Sequence, residues 1–103
     1  MNYLITFHTV QARNDQLHET IRSLGEFGLV TPNSYVVQSG LTAAAIIELL
    51  QKELGPSDDV GVFAVGQPWA SYCNVIVEDF LVSALGDFED WTPRDYESEN
   101  KKP

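Results

Sequence analysis

The chain has a single cysteine, Cys73, few basic residues and no long apolar run, and each shortage removes a class of protein. One thiol excludes an internal disulfide framework and a cysteine-rich zinc site. The longest apolar stretch falls far short of the ~20 residues that a membrane-spanning helix needs. Met1 to His8 carry neither a basic start nor a small-residue cleavage site, so no signal peptide is expected and the cytoplasm is the expected location. Lys and Arg number 6 against 15 Asp and Glu, a formal net charge of −9. Nucleic-acid binders gather basic side chains into a stripe that neutralises phosphates. Here Arg13, Arg22, Lys52, Arg94, Lys101 and Lys102 are scattered, the last three within an acidic tail. A monomer is therefore expected to repel nucleic acid at long range, and its charge favours solubility and a basic protein partner.

What is present fits one domain. With 103 residues, 44% of them hydrophobic, the chain can bury a single core without staples. Tyr3 to His8 alternates as a strand, with Tyr3, Ile5 and Phe7 on one face and Leu4, Thr6 and His8 on the other. The period then changes: Asn14 is placed to cap a helix whose Leu17, Ile21 and Leu24 share a stripe, and Gly25 is placed to end it. Residues 26–31 and 34–39 form a hairpin around Pro32 and Asn33. Thr42 caps a second helix, striped by Ala43, Ile46, Ile47, Leu50 and Leu54 and stopped at Gly55 and Pro56. Residues 60–65 form a nearly all-apolar strand. Beyond the Trp69 loop, Asn74 opens a terminal element with helical spacing over Ile76, Val77, Phe80, Leu81 and Leu85, although its β-branched start also allows a strand.

The order strand, helix, strand, strand, helix, strand makes a ferredoxin-like α+β sandwich the economical architecture. Its four-stranded antiparallel sheet carries helices near 14–24 and 43–54 on one face. The other face, with Thr6, His8 and Gln38, is left to water, the terminal element or a second subunit. Residues 1–86 form this domain, and 87–103 an acidic tail, expected to be disordered past about 96.

At this point the residues resemble a known family. Tyr3-Leu4-Ile5-Thr6-Phe7, a helix ending at Leu24-Gly25, Ser34-Tyr35-Val36-Val37, Leu41-Thr42-Ala43, Ser57-Asp58-Asp59-Val60 and Trp69-Ala70 are similar to the SinR-like group. That group is related to the smaller CRISPR adaptation protein and to the VapD toxins. The resemblance spans roughly residues 3 to 85 and implies a ferredoxin-like subunit that forms homodimers through its sheet. In the nuclease members an aspartate closing the first strand holds a divalent metal. The matching position here is His8, and imidazole is a poor substitute for the oxygen ligands magnesium prefers.

His8 is the one candidate catalytic residue, as a general acid or base near neutral pH or a ligand for a softer metal. Its structural alternative is a strand-end histidine hydrogen-bonded at an interface. His18 lies off the Leu17, Ile21, Leu24 stripe and is expected to face solvent. Asp58-Asp59 reads as a solvated turn before a strand, and Glu78-Asp79 as helix surface. Cys73 has no local His or second Cys, and Ser34, Ser39 and Ser71 lack a nucleophile-elbow context. Gly25-x-x-Gly28 and Gly61 to Gly66 make no phosphate loop. No cofactor and no metal are expected. Trp69 and Tyr72 could stack a ligand, but covering a core edge or a dimer partner is the plainer role. Trp91 and Tyr96 read as a docking segment or as a tail folded over an exposed strand.

The pattern and the resemblance together imply a non-catalytic homodimeric module of the SinR-like kind, with a scaffold or protein-binding role. The alternatives are an endoribonuclease of the VapD or CRISPR-associated branch acting at the dimer cleft and a small-ligand sensor. Leu4, Thr6, His8, Val36, Gln38 and Trp69 are the expected dimer-interface residues.

Overall fold

The computed structural model describes residues 1–10 and 14–89. Its elements run β1 (Asn2–His8), α1 (Asp15–Arg22), β2 (Phe27–Thr31), β3 (Ser34–Gln38), α2 (Ala43–Gln51), β4 (Asp59–Ala64) and α3 (Val75–Leu85). The four strands form one sheet in the order β2-β3-β1-β4, antiparallel at every pairing. This is the ferredoxin-like arrangement expected from the sequence, and the terminal element is a helix.

All three expected helix caps form. Asn14, Thr42 and Asn74 each turn a side-chain oxygen to the backbone N–H three residues on, at 3.0, 3.1 and 3.0 Å. Each satisfies a donor that the first helical turn leaves without a partner. Asn14 also donates from Nδ2 to the Glu53 carbonyl at 2.8 Å, tying the start of α1 to the end of α2. Gly25 does not end α1, which stops at Arg22 with Ser23 as its cap. Its place is set by packing instead: a Cβ there would overlap the Gln38 carbonyl oxygen at the end of β3.

The main core lies between one sheet face and the first two helices. Tyr3, Ile5 and Phe7 of β1 and Tyr35 and Val37 of β3 meet Leu17 and Ile21 of α1 and Ile46 and Leu50 of α2. Ile5, Leu17, Ile21, Val37, Ile46 and Leu50 have no exposed surface, and each aliphatic side chain so buried contributes about 1.5–3 kcal/mol.

The reverse face carries a second, smaller core, which makes the sheet three layers deep over part of its area. Val36 packs with Val77 and Leu81 of α3, flanked by Leu4, Val30, Trp69, Phe80 and Leu85. Of the three covers the sequence left open for this face, the terminal helix takes the β2–β3 side. Gly28 makes that seat: a Cβ on it would lie 2.7 Å from the Phe80 ring. Asn2 Nδ2 donates to the Ala84 carbonyl at 2.8 Å and pins the last turn of α3 to β1.

The seat gives a paired test of stability. Gly28→Ala should destabilise the fold by about 1–3 kcal/mol, because the added methyl overpacks against Phe80. Gly40→Ala should change it little, since a Cβ there has nothing within 4 Å and the backbone is not in the left-handed region. Urea titrations of the two variants check the contrast.

Candidate functional site

The part of the reverse face that α3 leaves uncovered runs along β1 and β4. Thr6 and His8 alternate outward from β1, where His8 is the last residue of the strand. In register, His8 faces Asp59, Thr6 faces Gly61 and Leu4 faces Phe63. Thr6, His8, Asp59 and Gly61 line a shallow depression of about 340 Å³, with Phe63 as its apolar wall. Phe63 is 55% exposed, and its ring lies over Gly61, where a Cβ would come within 2.6 Å of it. The ring thus replaces the side chain that Gly61 lacks and offers its outer side to solvent. β4 is also the last strand of the sheet, and among the described residues no strand pairs with its outer edge.

The acids beside this strip have a structural task. Asp58 accepts from the backbone N–H groups of Gly55 and Val10, both at 2.8 Å, joining the loop after α2 to the chain leaving β1. The bonds from Gly55 and then Val10 hold its carboxyl below the ordinary carboxylate range, outweighing a small opposing effect of desolvation, with a further contribution from His8. A depressed folded-state value means that Asp58 stabilises the fold above the ordinary carboxylate value and loses this as pH falls through the lowered one. Asp58→Asn should therefore flatten the acid limb of a stability-against-pH curve and leave its neutral-to-alkaline limb unchanged in shape. Among the described residues no group of three His, Cys, Asp or Glu side chains converges as a metal site would require.

The expected interface residues divide between exposed and covered positions. Thr6 and His8 are exposed; Leu4, Gln38 and Trp69 are half-buried; Val36 is 5% exposed and used up within the chain by Val77 and Leu81. Trp69 covers the edge of the second core: its Nε1 donates to the Gly86 carbonyl at 2.9 Å and its ring meets Phe88 edge-on at 5.9 Å. Trp91 and Tyr96 lie outside the described residues. Phe63, the most exposed apolar side chain on the strip, is missed by periodicity. An apolar strand reads as buried on both faces, and only its place at the sheet edge reveals otherwise.

Two side chains have roles the sequence pattern did not indicate. His18 does not simply face solvent. Its ring lies edge-on to Phe7 at 5.2 Å, and its Nδ1 is 2.8 Å from the hydroxyl of buried Tyr35. Arg22 donates to the same hydroxyl at 3.2 Å. Because a guanidinium can only donate, the Tyr35 oxygen accepts from Arg22 and its own hydrogen is available to His18 Nδ1. Glu78, read as helix surface, reaches back from α3 to accept from the Ser71 hydroxyl at 3.0 Å and the Cys73 backbone N–H at 3.4 Å, fixing the loop that precedes the helix. The Cys73 thiol lies 3.7 Å from the Ser71 hydroxyl, within this loop clamp.

Arg22 and Lys52, the basic side chains among the described residues, belong to α1 and to the end of α2, on the opposite side of the sheet from His8. A phosphate approaching the strip would meet Asp58 and Asp59 instead. No family model, no curated protein and no solved structure matches the chain.

The Tyr35 cluster is testable by itself. Tyr35→Phe should cost about 1–2 kcal/mol in thermal unfolding, since it removes a hydroxyl shared by two polar groups while keeping the ring in the core.

Proposed function

We propose that the protein is a non-catalytic, self-associating module of the SinR-like kind, with a scaffold or protein-binding role. The observation that carries this is Phe63: a large aromatic side chain 55% exposed on the edge strand of a sheet, beside outward-facing Thr6 and His8. An open edge strand presents backbone donors and acceptors ready to pair with another strand. Interfaces are enriched in aromatic residues at their centre, and a moderate one buries roughly 800 Å² per partner. A second copy related by a two-fold axis would pair β4 with β4, so that each Phe63 meets the same patch on the partner. The acidic surface supports a protein partner over a nucleic acid, because no Lys or Arg among the described residues lies beside the strip.

Sedimentation equilibrium tests the self-association. The wild type should sediment as a dimer at tens of micromolar, roughly the range a moderate interface sustains. Phe63→Glu should sediment at the monomer mass of 11.5 kDa while keeping its circular dichroism spectrum. A wild type that is monomeric in that range contradicts the proposal.

The absence of catalysis has its own test. Purified protein incubated with RNA and magnesium or manganese should leave the RNA intact. Metal-dependent cleavage that His8→Ala abolishes would overturn the non-catalytic assignment in favour of an endoribonuclease.

A further inference from the structure

The second core is incompletely filled. Between α3 and the loop after β4 a groove of about 420 Å³ opens over the sheet. Its floor is Leu4, Val30 and Val36, and its walls are Leu81 and Leu85 on one side and Trp69 on the other. An apolar groove of this size leaves its lining without contacts on one side, a loss that an inserted side chain would recover.

The chain itself arrives at this groove. After α3, residues 86–89 run along the Trp69 loop and are fastened to it in succession. Trp69 Nε1 donates to the Gly86 carbonyl at 2.9 Å, Gln67 Nε2 to the Asp87 carbonyl at 2.8 Å, and the Glu89 N–H to the Trp69 carbonyl at 2.6 Å. Phe88 meets the Trp69 ring. The chain therefore leaves the described region hydrogen-bonded to a residue that lines the groove. Fourteen more residues follow Glu89, and the first apolar side chain among them is Trp91.

We infer that Trp91 occupies this groove, so that the C-terminal segment completes the second core of its own chain. Extended backbone advances ~3.3–3.6 Å per residue, which puts Trp91 within reach of the groove from the Glu89 anchor. Tethering at so short a distance gives an effective concentration in the millimolar range or above, well beyond that of a second copy at laboratory concentrations. An indole buries roughly 150–250 Å² of surface, more than any other apolar side chain beyond Glu89 can offer.

Methyl and indole NMR of the full chain tests this. Trp91 should show contacts to the methyls of Leu81, Leu85 and Val30, with an indole N–H slowed in exchange with water. Trp91→Ala should shift those methyl resonances, leave the Ile46 and Leu50 methyls on the opposite face unmoved, and admit a hydrophobic fluorescent dye that the wild type excludes. Ala70→Glu, a charge placed on the exposed rim of the groove, should likewise release Trp91 without unfolding the chain. A Trp91 indole with no contact to groove methyls, or groove methyls unmoved by Trp91→Ala, would overturn the inference. So would contacts that disappear on dilution, since they would assign the groove to a second copy.

Discussion

β1 holds both layers of the molecule through its alternation. As a central strand it pairs with β3 on one side and β4 on the other, and its odd and even residues serve different partners. Tyr3, Ile5 and Phe7 go to the core under α1 and α2, while Leu4 joins the smaller core under α3. A one-residue slip of this strand would exchange the two sets and expose the larger core, so register is strongly specified here. The strand is also fastened at its N-terminal end. The Met1 ammonium donates to the Ser39 carbonyl, Asn2 holds Ala84, and the Tyr3 hydroxyl holds the Leu41 carbonyl before α2. Both helical layers are thus located relative to a single strand.

The partial cover of the reverse face shapes what the surface can do. A four-stranded sheet with helices on one side only would expose a broad face. α3 closes the β2–β3 half, where Gly28 lets the Phe80 ring approach the backbone. The half along β1 and β4 is left as a narrow strip with His8 and Asp59 at one end and Phe63 at the other. This strip is small and mostly polar apart from one aromatic ring, and among the described residues no strand pairs with the outer edge of β4 beside it. The acidic side chains near it, Asp58 and Asp59, would repel a phosphate.

Much of the architecture was legible in the sequence because it rests on local signals. The period-two alternation of β1, the Pro32-Asn33 turn and the caps Asn14, Thr42 and Asn74 each act within a few residues of themselves. What could not be read depends on distant contacts. The seat of α3 needs Gly28 and Phe80 to meet across about half of the chain. His18 looks solvent-facing on its own helix, and only the approach of Tyr35 from β3 gives it a partner. Val36 reads as a dimer-interface residue, yet Val77 and Leu81 of α3 cover it within the chain. Gly25 carried the mark of a helix stop, but its requirement comes from the closeness of Gln38. His8 itself stands at the strand end where its spacing put it, beside the acids of the β4 end.

The central claim is that the β4 edge, with Phe63 beside it, is the surface through which the protein associates. Amide hydrogen exchange measured across a dilution series tests this most directly, because the sheet has two outer strands and only one is assigned that role. Protection of β4 amides should rise with protein concentration while that of β2 amides stays constant. Protection of β4 that is independent of concentration, or that changes equally with β2, would contradict the account.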